Sequence, residues 1–190
     1  MKELETSTLP AYRQQKLTEI AAELSRQLAL HRELQLVWVC NHNARRSQLA
    51  EAWSHVLFDR QAGMTIASAG ETQSAVHPNA ITALQNAGFN VQVTKDGYIL
   101  QSGSRAFELS SKRLDQLPAS SARFVISVCT TTDAQCPFVP GAVAQFSLPF
   151  DDPKVFDNQA DAQAAYAATC ADIARQVQMI AKLTNEQKKP

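Results

Sequence analysis

The chain has 190 residues, with 18 Lys or Arg balanced by 18 Asp or Glu, so its formal net charge is zero. That balance gives no general reason to expect nucleic acid or an anionic membrane surface as partner, and any attraction for anions has to be local. The length suits one domain with a proper core and some decoration.

The N-terminal run Met-Lys-Glu-Leu-Glu is charged and leads into no apolar signal core, and no later run approaches the length needed to span a bilayer. The expectation is a soluble, cytoplasmic protein without a membrane partner. In that compartment its four cysteines are expected to be catalytic, redox-active or metal-binding rather than structural disulfides.

Residues 1–33 read as an N-terminal helical extension, with Ser7 or Thr8 available as cap and Pro10 in the first turn. Leu17, Ile20, Ala21, Leu24 and Leu28 recur at helical spacing, and the stripe they form is expected to pack on the chain itself rather than in a dimer. The remaining domain is taken as residues 34–187. Its first stretch, residues 36–52, reads as a buried strand ending at Cys40, a polar loop, and a helix opening at Ser47 and running to about Arg60.

In that loop Cys40 and Arg46 are separated by five residues, Asn41, His42, Asn43, Ala44 and Arg45. This is enough backbone to curl round a tetrahedral oxyanion with NH groups pointing inward, at a helix N-terminus whose dipole also favours an anion. The same field should hold Cys40 as a thiolate nucleophile, and Arg46 offers a planar fork of donors for two anion oxygens. The competing interpretation is a buried strand-end thiol beside solvated arginines.

Met64 to Ala67 makes a second strand, ending in Ser68-Ala69-Gly70, and Pro78 starts a helix stopped by Gly88. Such alternation at short spacing predicts parallel strands with crossover helices. Residues 91–104, with Lys95-Asp96-Gly97 between two β-prone runs, read as a hairpin insertion, and Ser110 to Leu117 as a short helix whose Lys112 and Arg113 face solvent. Arg123 to Val128 is an apolar strand delivering Cys129, with six residues between it and Cys136. Ala142 to Leu148 is a last strand, Asp151-Asp152-Pro153 a rigid loop, and a long helix starts near Asn158 with Cys170 in its core stripe.

In an open parallel sheet ligands sit beyond the carboxyl ends of the strands. Cys40, Cys129 and the Asp151-Asp152 pair each follow a strand, so they converge if the strands are parallel. An aspartate before Pro153 is conformationally restricted and, near an oxyanion, suited to general acid work; ordinary turn chemistry is the alternative. For Cys129 and Cys136 four readings stand: a redox pair, two inert thiols, a static disulfide, or zinc ligands with Cys40 and His42. The spacings are not the usual short ones of zinc sites.

Together these residues resemble a known family. Val39-Cys40 through Asn43, then Arg46-Ser47-Gln48 and Ala50-Glu51, is similar to the oxyanion loop of low-molecular-weight protein tyrosine phosphatases. Val128-Cys129 through Cys136-Pro137 and Phe150-Asp151-Asp152-Pro153 resemble thioredoxin-coupled arsenate reductases of that fold, as do Ser68-Ala69-Gly70 and Pro78-Asn79-Ala80-Ile81. The similarity runs over about residues 35–185 and leaves out the first helix and the hairpin. It implies an α/β three-layer open sheet of about four parallel strands with helices on both faces, plus those two additions.

The resemblance implies that Cys40 attacks arsenate held by the loop amides and Arg46 while Asp152 protonates the departing oxygen. Cys129 then attacks the Cys40 adduct, arsenite leaves, and Cys136 moves the disulfide to Cys129 and Cys136, where an external thiol reductant such as thioredoxin reduces it. Asn43 would order the loop and Ser47 would bond the thiolate. No resident cofactor is implied; Glu51 and Ser68 match positions near a potassium site in some relatives. His42 stands where the family usually has glycine, which should strain the loop, and Arg45, where reductases often have cysteine, should add charge for the anion. Two alternatives remain open: hydrolysis of phosphate monoesters by the same Cys40, Arg46 and Asp152, and a non-catalytic oxyanion or redox sensor.

Overall fold

The computed structural model describes residues 9–58, 61–130 and 138–187. In chain order the elements are α1 (Ala11–Leu30), β1 (Leu34–Cys40), α2 (Arg46–Leu57), β2 (Met64–Gly70), α3 (Pro78–Asn86), β3 (Asn90–Val93), β4 (Tyr98–Ser102), β5 (Arg105–Leu109), β6 (Arg123–Ser127), β7 (Ala144–Ser147) and α4 (Ala162–Glu186). Short 3-10 turns cover Leu114–Gln116 and Pro153–Phe156.

Every residue of β1 is buried, which is why its sequence is almost unbroken apolar: a central parallel strand is covered on both faces. It pairs in parallel with β2 on one side and β6 on the other, and β6 pairs in parallel with β7, giving the order β2-β1-β6-β7. Alternate residues divide between two cores, as the pleat requires. Leu36 and Trp38 of β1, with Phe124 and Ile126 of β6, join the large core shared by all four α-helices. Val37, Val39 and Val125 face the other way, with Ala67 and Ala69, into a smaller core closed by Leu117, Val139 and Leu114 of the first 3-10 turn. The molecule is thus an α/β three-layer open sheet, and the strand order reverses at β1, between β2 and β6.

The stripe of α4, Tyr166, Cys170, Ile173, Val177 and Ile180, is buried where α1, α2 and α3 all meet it. Leu17, Ile20, Ala21 and Leu24 of α1 are fully buried, and Ser25 Oγ donates to the Thr184 carbonyl across the α1–α4 seam at 3.1 Å. The apolar stripe of α1 is therefore covered within the chain. Pro10 is the N-cap of α1 rather than a first-turn residue; Ser7 and Thr8 lie outside the described residues.

Four sequence expectations are corrected. The insertion is a three-stranded antiparallel sheet, β3-β4-β5, not a hairpin. A second tight turn at Gly103-Ser104 reverses the chain again, Gly103 taking φ 59° between the paired Ser102 and Arg105. Leu100 and Leu109 anchor this sheet in the main core. Residues 110–117 are not a helix: only Leu114–Gln116 turns, because the backbone of residues 110–113 bonds instead to the oxyanion loop and to Gly70. Helix α2 stops at Leu57, short of Arg60, which lies outside the described residues. Helix α4 begins at Ala162, since Asn158 adopts the left-handed φ of 64° and breaks the run before it.

Replacing Ile20 by Ala is expected to lower stability by about 2–5 kcal/mol. Urea unfolding read by the fluorescence of Trp38 and Trp53, both in the main core, tests this. A transition at the wild-type midpoint would mean that α1 is not cooperative with the sheet.

Candidate active site

The loop between β1 and α2 is built around a buried asparagine. Asn43 sits at φ 49°, in the left-handed region that asparagine tolerates better than most residues, and is fully buried. Its Nδ2 donates to Ser47 Oγ at 2.9 Å and to Ser68 Oγ at 2.7 Å, while its Oδ1 accepts from Gln48 Nε2 at 2.9 Å and from the Lys112 amide at 2.8 Å. All four hydrogen-bonding positions of the side chain are used. The loop also lies against the end of β2: a Cβ on Gly70 would come within 2.8 Å of the Asn41 oxygen and the Asn43 nitrogen, so only glycine fits there.

This scaffold aims donors at the sulfur. Cys40 Sγ lies 3.1 Å from the Asn43 amide nitrogen, which donates to it, and 3.0 Å from Ser47 Oγ. The neighbouring bonds decide which way the Ser47 proton points. Ser68 Oγ donates to Glu51 Oε2, so its lone pairs receive Asn43; Asn43 then donates to Ser47 Oγ, whose own proton is left for Cys40. The chain of bonds therefore stabilises negative charge on Cys40.

Arg46, only 5% exposed, opens α2 and reaches across the carboxyl edge of the sheet. Its Nη1 donates to the Phe150 carbonyl at 2.8 Å and more weakly to that of Val128 at 3.4 Å, and its Nη2 to Asp152 Oδ2 at 2.6 Å. The other oxygen of Asp152 accepts from the Lys154 amide at 3.0 Å, which fixes the carboxylate at the start of the second 3-10 turn. Asp151 is exposed, so Asp152 is the member of the pair that faces the loop. A cavity of about 100 Å³ lies between Cys40, Asn41, His42, Ala44, Arg45 and Arg46 on one side and Asp152 and Lys154 on the other. That is well below the volume of a pocket for drug-sized molecules, and suited to one small oxyanion.

Cys40, Arg46 and Asp152 thus meet in one pocket, while Asn43 and Ser47 lie buried beneath it as supports. Cys129, 2% exposed, leaves β6 beside the end of β1, where the Val128 amide bonds to the Val39 carbonyl at 2.9 Å. Cys136 lies outside the described residues. Cys170 is buried against Trp53, whose Nε1 is 3.3 Å from its sulfur, and burial pushes its thiol up to about 11.

Two expectations about the loop change. His42 carries no left-handed strain, since the positive φ falls on Asn43; its exposed ring bonds to Thr72 Oγ1 at 2.8 Å. Arg45 does line the cavity, but its Nε bonds to Tyr166 Oη at 2.6 Å and its Nη2 to Asp157 at 2.5 Å. Asp157 offsets its charge, and Arg45 acts as a brace between loop and α4 more than as a free cation. Lys112, read as solvent-facing, instead directs its ammonium to Glu51 at 3.7 Å and to the Ser110 carbonyl at 2.9 Å. Glu51 and Ser68, the pair matched to a potassium site, therefore already have a cation beside them. Among the described residues no group of three or more His, Cys, Asp or Glu is arranged to hold a metal ion. Asp157 had no sequence signal of its own, and Lys112 and Tyr166 had none that pointed to this site, because each joins it from a distant segment; Gly70 was marked only as part of the Ser68-Ala69-Gly70 match.

Burial raises Glu51 to about 7, against the pull of Lys112 and the Ser68 bond, while burial and the charges of Lys112 and Arg105 lower the adjacent His55 to about 4. Below the ordinary carboxylate range Glu51 is protonated folded and unfolded. As pH rises toward 7 the unfolded chain releases the proton first, so this contribution to stability is lost, on the order of 3 kcal/mol. Replacing Glu51 by Gln removes the titration. The stability of the variant relative to wild type, from urea melts, is expected to rise between pH 4.5 and 8; a flat difference would contradict the buried carboxyl.

No protein-family model matches the chain. An arsenate reductase of Bacillus cereus strain G9842 is 30% identical over 118 residues, which are 62% of this chain and 75% of that protein. An arsenate reductase of Brevibacillus brevis is 26% identical over 118 residues, again 62% and 75% of the two chains. Among solved structures, the arsenate reductase of Archaeoglobus fulgidus superposes with a TM-score of 0.55 at 19% identity, covering 77% of this chain and 98% of its own. A low-molecular-weight phosphotyrosine phosphatase of Vibrio cholerae O395 gives 0.55 at 16% identity, covering 82% and 99%. The two superpositions establish a shared fold, and the Bacillus relative, matched over three quarters of its length, establishes kinship: the chain belongs to the arsenate reductase family, an enzyme, reductase or phosphatase, on the low-molecular-weight tyrosine phosphatase fold.

Proposed function

We propose that the chain reduces arsenate to arsenite with Cys40 as nucleophile. The observation that carries this reading is the meeting of Cys40, Arg46 and Asp152 around one anion-sized cavity, with Cys129 at the end of the adjacent strand. Arsenate enters against the loop amides and the N-terminus of α2, where no side chain caps the helix. It competes with Asp152 for the Arg46 fork, so binding releases the carboxyl group to hold and pass on a proton.

The Cys40 thiolate forms a bond to arsenic, and one arsenate oxygen departs as water, protonated by Asp152. The Cys129 thiolate then attacks Cys40 Sγ. The sulfur–arsenic electron pair goes to arsenic, which leaves as arsenite, and the two sulfurs are oxidised to a disulfide. For this step Cys129 has to come within bonding reach of Cys40. Cys136 exchanges into the disulfide, restores Cys40 as a thiolate, and leaves Cys129–Cys136 to be reduced by an external dithiol protein of the thioredoxin class. The reaction needs no resident cofactor. Arsenate reductases among the relatives support this reading over the phosphatase alternative. The second cysteine at the site's edge points the same way, since hydrolysis needs only one thiol.

Supplying arsenate with thioredoxin, its reductase and NADPH, alongside an aryl phosphate, tests the proposal. Wild type is expected to reduce arsenate, Cys40→Ser to do nothing, and Cys129→Ser to lose multiple-turnover reduction while keeping any aryl phosphate hydrolysis. Arsenate reduction that survives Cys129→Ser would sink the cascade, and aryl phosphate turnover without arsenate reduction would leave a phosphatase. Anion binding with neither turnover would leave a sensor. Asp152→Asn is expected to lower kcat by about 10²–10⁴-fold. Equal loss in KM alone would assign Asp152 to binding instead.

A further inference from the structure

We propose that Arg13, on α1, is a positioning residue for this site: it fixes the backbone of Pro149 and Phe150 so that Phe150 and Asp152 meet Arg46. The inference rests on the reading of Asp152 as proton donor, and it gives the first helix a role that its packing alone does not.

Beyond β7 the chain leaves regular strand pairing, and within five residues it must deliver Asp152 to the cavity. The Leu148 and Phe150 amides bond to the Ser127 and Val128 carbonyls at 2.7 and 3.2 Å, which ties the segment to the end of β6. Pro149 between them has no N–H, so its carbonyl is its only backbone polar group. Arg13 Nη2 donates to that carbonyl at 2.5 Å, and the same guanidinium lies over the Phe150 ring, 5.0 Å from its centre. Arg13 is itself held: its Nε donates to Gln176 Oε1 of α4 at 2.6 Å, and Gln176 Nε2 donates to Asp172 at 3.0 Å.

The next carbonyl along, that of Phe150, receives Arg46 Nη1, and two residues later Asp152 receives Arg46 Nη2. One guanidinium thus grips the segment on the side of α1 and another on the side of the cavity, with buried Phe150 between them. A proton donor misplaced by an ångström loses much of its effect. The contact from α1 therefore bears on the chemistry, although Arg13 is not itself among the residues lining the cavity.

The test uses the full chain with Arg13→Ala and, in case that variant folds poorly, Arg13→Lys, which keeps the charge but not the fork. Arsenate turnover is measured together with amide exchange across residues 149–157, with inorganic phosphate as the site probe. The expected result for Arg13→Ala is a kcat lower by about 10- to 100-fold at nearly constant KM. Exchange should quicken in residues 150–154 but not in β1 or α2, and millimolar guanidinium should return part of the lost rate. Unchanged kcat with unchanged exchange would overturn the proposal. So would faster exchange spread over α1 and α4 without rescue by guanidinium, which would make Arg13 a packing residue only. If wild type turns over neither arsenate nor aryl phosphate, the functional reading fails by itself. The exchange pattern then decides Arg13: local loosening at residues 150–154 keeps it as the anchor of this segment, and its absence removes it.

Discussion

The guanidinium of Arg46 joins the three parts of the molecule that the site needs. It belongs to α2, bonds to carbonyls at the end of β6 and after β7, and pairs with the carboxylate that follows. A charge this deeply buried costs several kcal/mol to desolvate unless its donors are matched. Here they are matched only if the parallel strands end at the same edge. The interaction is therefore a check on register: slipping β6 or β7 against β1 would strand a buried cation.

Beneath Arg46 lies a second polar assembly with a different task. Asn43, Ser47, Ser68 and Glu51 form a buried chain of hydrogen bonds from a carboxyl group to the sulfur of Cys40. Because Asn43 has every donor and acceptor occupied, the loop has one conformation that satisfies it and a penalty for any other. Lys112 closes the far end, its ammonium facing Glu51 and its amide bonded to Asn43. The loop is thus pre-shaped, which spares a bound anion the cost of ordering it.

The surroundings brace these two assemblies from several directions. Arg45 links the loop to Asp157 and Tyr166, and His77 stacks on Tyr166 while its amide bonds to the Ala44 carbonyl. Helix α1 closes the main core through α4 and sends Arg13 to the far side of the segment that carries Asp152. The location of the site follows from the strand order, since reversal at β1 opens a crevice at its carboxyl end, between β2 and β6.

Much of this was readable before any coordinates. The apolar run of β1, the five-residue loop and the helical pattern after it are local signals, and they marked Cys40 and Arg46 without any knowledge of the rest. The parallel sheet followed from the strand–helix alternation, which is also periodic and local. What the pattern lacked was either a second nearby signal or a neighbour in sequence. The Gly103-Ser104 turn sat inside a run already read as one hairpin, and the bonds that keep residues 110–113 extended come from the loop some 70 residues earlier. The sequence by itself determined which residues can do the chemistry, because nucleophile, fork and acid are properties of side chains. Only the tertiary structure decided that Asp152 pairs with Arg46 at the cavity, that Arg45 is spent on Asp157, that Lys112 turns inward, and that α1 reaches the segment carrying Asp152. Each of these is set by contacts between segments far apart in the chain, whose partners no local spacing can name.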